Sequence, residues 1–126
     1  KYISTVSAGF PSPADNYIEE KLNLNKYLIR NKEYTFLVRV SGNSMINVGI
    51  FDNDILVFDR SLTQIKQSIV ISSIEGELVV KKLIKDNKSR DYYLKSENSD
   101  YPNIKLSSHS DTMIWGVVTY TIHKLI

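Results

Sequence analysis

The chain has 126 residues, 42% of them hydrophobic and 24% charged, enough for one domain whose core folds without disulfide or metal staples. It has no cysteine, which excludes disulfides, thiolate metal sites and a cysteine nucleophile and suits a reducing cytoplasm. Sixteen Lys and Arg against 14 Asp and Glu leave a net charge of +2 with no basic block, so no direct sequence-specific DNA binding is expected; no apolar run approaches the ~20 residues of a membrane helix.

The chain opens at Lys1 rather than Met, as a processed or trimmed form would. Residues 1–12 read as an exposed arm: Lys1 to Ala8 are small, polar and β-branched, and they run into Gly9-Phe10-Pro11-Ser12-Pro13, where two prolines forbid a regular helix or a central strand. A single domain is expected over 13–126. Asn16 with Glu19 forms a capping-box pattern, and Ile18, Leu22, Tyr27, Leu28 and Ile29 recur at roughly helical spacing, which predicts one or two short helices between Asp15 and Arg30.

From Tyr34 the pattern changes to strands. Segments 34–40, 54–58, 68–74, 77–85, 91–95 and 114–125 are rich in Val, Ile, Tyr and Thr and are separated by turn sequences such as Ser-Gly-Asn, Asp-Asn-Asp and Glu-Gly-Glu. A mainly β architecture follows, a compact twisted barrel or sandwich.

Two places hold residues suited to chemistry. Ser41-Gly42-Asn43-Ser44-Met45 directly follows a strand and contains the small residues that let a backbone turn sharply, so it can present Ser44 beside backbone N–H groups. Taken alone it is also an ordinary polar turn. In Leu78-Val79-Val80-Lys81-Lys82-Leu83-Ile84 both faces of a strand carry apolar residues, Val79, Lys81 and Leu83 on one and Val80, Lys82 and Ile84 on the other. At least one lysine therefore sits among apolar neighbours, and an amine kept from water is favoured in its neutral, proton-accepting form. Alternation does not say which lysine.

Other chemistries are poorly supplied. His109 lies in a polar run and His123 on the last strand, neither beside an acid and a serine in sequence. Asp52-Asn53-Asp54 begins like a calcium loop but lacks the glycine and glutamate that complete one, and reads as a turn with solvated carboxylates. No metal and no cofactor are expected.

Ala8-Gly9 followed by Phe-Pro-Ser-Pro-Ala-Asp, then Ser41-Gly42-Asn43-Ser44-Met45-Ile46, Gly49-Ile50, Asp52-Asn53-Asp54 and Val80-Lys81-Lys82-Leu83, in that order, resemble the LexA/UmuD-type self-cleaving serine/lysine peptidases of family S24, and the UmuD branch most. The resemblance implies a fold of the LexA/signal-peptidase type, Ser44 as nucleophile, Lys81 as general base, and Ala8-Gly9 as the bond the protein cuts in its own arm. It also implies cleavage stimulated by the RecA filament on single-stranded DNA during the SOS response to DNA damage. The product would be a homodimer serving as accessory subunit of a UmuC-type Y-family polymerase in translesion synthesis. The alternative is the cleavage and dimerisation domain of a LexA-like or phage repressor. Two positions depart from the UmuD pattern: Asn43 stands where Asp is usual, and Asn53 where Gly is usual. Signal peptidases follow Ser-Met with a proline, whereas Asn47 and Gly49-Ile50 sit in that region here, which speaks against a signal peptidase.

Overall fold

The computed structural model describes residues 6–9, 23–62, 66–95, 97, 102–106 and 112–126. One short helix, α1 (Leu24–Leu28), lies among them, capped by Asn23, whose Oδ1 accepts a hydrogen bond from the Asn25 N–H at 3.1 Å. Five residues are too few for a stable isolated helix. It is tied to the sheet by Tyr27, whose ring lies 6.2 Å from that of Tyr120. The Asn16–Glu19 pattern lies outside the described residues.

The rest is β. The strands are β1 (Thr35–Arg39), β2 (Ile55–Asp59), β3 (Ile69–Ile74), β4 (Glu77–Lys85), β5 (Tyr92–Lys95), β6 (Ile104–Lys105) and β7 (Thr112–Ile122). They form a seven-stranded sheet in the order β1-β2-β7-β3-β4-β5-β6, every neighbouring pair antiparallel. The six strands expected from sequence are present; β6 is additional, and its two residues carry no alternation to read.

Two apolar clusters explain why β2 and β3 are almost continuously hydrophobic, since each side of the sheet is covered. The first gathers Val40, Met45, Ile50, Leu56, Phe58 and Ile71, with Val80 and Trp115 packed on it; the second gathers Val70, Leu83, Leu94 and Val117. Burying each of Leu56, Ile71, Leu83 and Leu94 contributes about 1.5–3 kcal/mol.

The sheet is curled. Opposite β2, β7 pairs Tyr120 with Val57 and Val118 with Phe58, which leaves Thr119 as an extra residue whose hydroxyl donates to Val57 O at 3.2 Å. Opposite β3 it pairs Gly116 with Ile71 and Ile114 with Ser72, leaving Trp115 extra. Such bulges bend a strand and increase its twist. Three strands separate β1 from β4 in the sheet order, yet Val38 and Val40 near the end of β1 and Val80 of β4 meet in the first cluster. This closure creates the site.

By composition, segment 114–125 is a candidate homodimer contact, since Trp115, Val117 and Tyr120 offer more apolar surface than one small core needs. Val117, however, is a core residue, Trp115 is half-buried, and the strand is held between β2 and β3; only Tyr120 of the three is exposed.

Candidate active site

The residue types needed for the turn after β1 can be followed bond by bond. Val40 is held on both sides: its N–H donates to Asp54 O and its carbonyl accepts from the Asn53 N–H, both at 2.8 Å. Gly42 then adopts φ +99°, a left-handed conformation that side chains resist. Met45 is buried in the first cluster and fixes the far side of the turn. A 3-10 turn, Ile46–Val48, follows and is closed by Gly49 at φ +84°, whose N–H reaches Ile46 O at 3.0 Å. Ser44 thus stands exposed between two anchored residues, Val40 and Met45.

Beneath it runs a second turn. Asn53 has φ +75°, so this position needs the left-handed conformation that Gly takes freely and Asn tolerates better than other side chains. The departure at 53 therefore keeps the turn. The departure at 43 keeps an acceptor: Asn43 Oδ1 receives the Asp52 N–H at 3.1 Å, while Asp52 Oδ1 receives the Gly42 N–H at 2.7 Å.

The expectation of solvated carboxylates holds for exposed Asp52 and is corrected for Asp54, which is only 2% exposed. Asp54 accepts from the Phe51 N–H at 2.9 Å, from the Thr121 hydroxyl at 3.2 Å and from Nδ1 of His123 at 2.5 Å. Burial pushes its carboxyl up, but the Phe51, His123 and Thr121 bonds together outweigh burial and hold it below the usual carboxylate value. The Asp-Asn-Asp string alone did not show which carboxylate goes inside.

Ser44 and Lys81 line the same cleft, of about 280 Å³, walled by Val38, Arg39 and Val40 at the end of β1, by Met45, by Ile71 of β3, and by Leu78, Val79 and Val80 of β4. Lys81 is half-buried and lies opposite Val70, whereas Lys82 lies opposite Ile69 and Lys95, on the other face. Among the described residues no carboxylate is within ion-pair distance of Lys81. Alternation did not choose between the two lysines and the resemblance pointed to Lys81; Lys81 lines the cleft and Lys82 is not among its lining residues.

The cleft lies between two open strand edges. β1 is the outer strand of the sheet, and β4, paired with β3 from Glu77 to Lys82, is covered by β5 only from Lys82 to Lys85. The edge of residues 77–81 therefore has no strand beside it among the described residues. Ala8 and Gly9 are exposed, with the Gly9 N–H donating to Ser7 Oγ at 3.3 Å, and neither is part of the cleft wall described above. His123 is engaged with Asp54, away from the cleft; His109 lies outside the described residues. No helix among the described residues is long and apolar enough to cross a membrane.

Residues 1–119 match the model of the Peptidase S24-like family. The chain belongs to that family. It is 41% identical to Protein MucA of Salmonella typhimurium over 122 residues, covering 96% of this chain and 82% of MucA. It is 42% identical over 117 residues to Protein SamA of Salmonella typhimurium strain LT2, covering 93% and 79%. A LexA repressor from Carboxydothermus hydrogenoformans is 34% identical over 116 residues, covering 92% of this chain and 55% of the repressor. The S24 chain is thus similar to both proteins of the UmuD kind and a repressor, over nearly its whole length.

Proposed function

We propose that this chain is a self-cleaving peptidase of the UmuD type in which Ser44 is the nucleophile, Lys81 the general base and Ala8-Gly9 the scissile bond. The observation that carries the reading is that Ser44 and Lys81, 37 positions apart in sequence (81 minus 44), line one cleft. An amine and a hydroxyl in such a setting make a nucleophile without histidine or metal.

The arm enters as an extended strand between the open edges of β1 and β4, a mode that supplies main-chain hydrogen bonds along its length. Small Ser7, Ala8 and Gly9 suit a narrow cleft. The Lys81 amine takes the proton of Ser44, and Oγ attacks the Ala8 carbonyl carbon. The N–H groups of Ser44 and Met45, which have no partner among the described residues, stabilise the oxyanion. The ammonium of Lys81 then protonates the departing Gly9 nitrogen, and water hydrolyses the Ala8 ester on Ser44. Tethering makes the attack intramolecular, so docking of the arm is the natural point of regulation.

The biological reading follows the resemblance: a cytoplasmic homodimer whose cleavage is stimulated by RecA filaments and whose shortened form serves a Y-family polymerase in SOS mutagenesis. The repressor reading rests on the likeness to LexA. A helix-turn-helix domain encoded ahead of Lys1 decides for the repressor, a short arm for the UmuD type. The direct test of the chemistry is the intact mass after incubation at alkaline pH, and separately with RecA filaments on single-stranded DNA. One cut, giving a fragment that begins at Gly9, is expected; a cut elsewhere, or none in either condition, refutes the assignment.

A further inference from the structure

The pair of turns around Ser44 carries a further assignment, which rests on the reading of Ser44 as nucleophile. We propose that Asp52 is a positioning residue that clamps the two residues preceding Ser44, and that Asn43 is the other half of the clamp. The two bonds are reciprocal. Asp52 Oδ1 accepts from the Gly42 N–H at 2.7 Å, and the Asp52 N–H donates to Asn43 Oδ1 at 3.1 Å. Together they close a ring that includes Gly42, Asn43 and Asp52 and leaves Ser44 as the next residue out.

Three features give the clamp a task beyond folding. Asp52 is exposed and contributes nothing to either apolar cluster. The turn's attachment to the body of the protein is made elsewhere, by the Val40 bonds to residues 53 and 54 and by buried Met45 and Ile50. Gly42, finally, sits at φ +99° with open space around its missing side chain, so packing does not hold it and the Asp52 carboxylate is the group that does. Without the clamp the residues from 41 to 44 are free to move between fixed ends. Ser44 Oγ and the Ser44 N–H, which must meet one carbonyl at once, then lose their common geometry.

Four variants and four readouts test this. Asp52→Ala should slow self-cleavage by roughly 10- to 100-fold, the loss that about 1 Å of misplacement produces. The melting temperature should change little, and the pH at which cleavage is half-maximal should not move. Asp52→Asn keeps an acceptor oxygen and should recover most of the rate. Asn43→Ala should slow cleavage as well, and the Asp52→Ala/Asn43→Ala double variant should be no slower than the slower single, as expected for two parts of one device. Amide hydrogen exchange at Gly42, which reads the clamp without reading catalysis, should accelerate in Asp52→Ala.

The assignment is overturned if Asp52→Ala cuts as fast as the parent while Ser44→Ala is inactive, or if Gly42 exchange is unchanged. It is also overturned if Asp52→Asn is as slow as Asp52→Ala with a displaced pH profile, because Asp52 would then act by its charge. Should Asp52→Ala fail to fold, an undiminished rate in Asn43→Ala overturns the clamp just as well. Cleavage by Ser44→Ala at the same bond refutes the nucleophile itself, a distinct outcome from any of these.

Discussion

Nδ1 of His123 lies 2.5 Å from Oδ1 of Asp54, and this contact ties the chain just past β7 to the turn that supports the candidate nucleophile. A carboxylate only accepts, so Nδ1 carries the hydrogen. The link runs from His123 to Asp54 and, through Asp54 O and the Val40 N–H, to the strand end that leads into Ser44.

Acid should weaken the fold through this carboxylate and a second one. Asp59 is also buried; burial pushes its carboxyl up, but the Ser61 hydroxyl, the Ser61 N–H and the Asn31 amide hold it below the usual value. For a group lowered in the folded state, the stabilisation is complete above the unfolded value of 3.8 and is lost as pH falls through the lower folded value. Thermal melts should therefore be level with respect to these groups at pH 5–6 (roughly) and should decline below about pH 4. Asp54→Asn and Asp59→Asn combined should flatten the decline; an equally steep fall in that double variant argues against these carboxylates as its source.

The two lysines of β4 should behave oppositely. Lys81→Ala and Ser44→Ala should each reduce self-cleavage by about 10³-fold or more, because a serine hydroxyl without a base is a poor nucleophile. Lys82→Ala, which alters the other face of the strand, should stay within about threefold of the parent. Single-turnover rates measured on variants with native circular dichroism check this. Activity in Lys81→Ala with loss in Lys82→Ala would reverse the assignment.

Gly116→Ala should be among the most damaging single changes in the sheet. A Cβ at this position lies 2.6 Å from Asp59 O and 2.9 Å from Asp59 C, all backbone, so no side chain can yield. Overpacking of this kind costs about 1–3 kcal/mol and more where the backbone itself must shift. Urea unfolding should show a lower midpoint; an unchanged midpoint would mean that β2 and β7 separate more easily than their register suggests.

The left-handed turn positions make a graded prediction. Gly42→Ala should cost about 1–2 kcal/mol through its positive φ, whereas Asn53→Gly should fall within about 1 kcal/mol of the parent in the same urea experiment. A larger loss for Asn53→Gly than for Gly42→Ala would show that the Asn53 side chain, which lies 3.5 Å from the Arg39 guanidinium, matters more than its backbone.

Strands β1 to β5 and β7 were legible because alternation and β-branched runs are local properties. Those runs ended within about two residues of the observed strands, apart from the last, whose C-terminal bound lies at Ile122. Strand β6 was not legible, since Ile104 and Lys105 take their strand character from β5 beside them. Of the site, Ser44 was visible as a small-residue turn. Alternation could not choose between Lys81 and Lys82, because clusters on both faces of the sheet make both alternating sets apolar, and only the family resemblance pointed to Lys81. The burial of Asp54 depends on Thr121 and His123 from the far end of the chain, and the Asp52–Asn43 clamp on two turns joined through Val40, neither of which sequence spacing encodes.

The β3–β4 hairpin turns on two residues, Glu75 at φ +51° and Gly76 at φ +82°, and Ile74 faces Glu77 directly across it. Two left-handed residues in succession make the kind of tight turn that permits a single pairing. Since a slip of one position sends every side chain to the opposite side, these two residues act as a parity setting for the strand that follows. Adding or removing one residue in the turn would exchange the faces that Lys81 and Lys82 occupy. Which of the two β4 lysines lines the cleft is thus set five residues before Lys81, at a hairpin tip that is no part of the cleft wall.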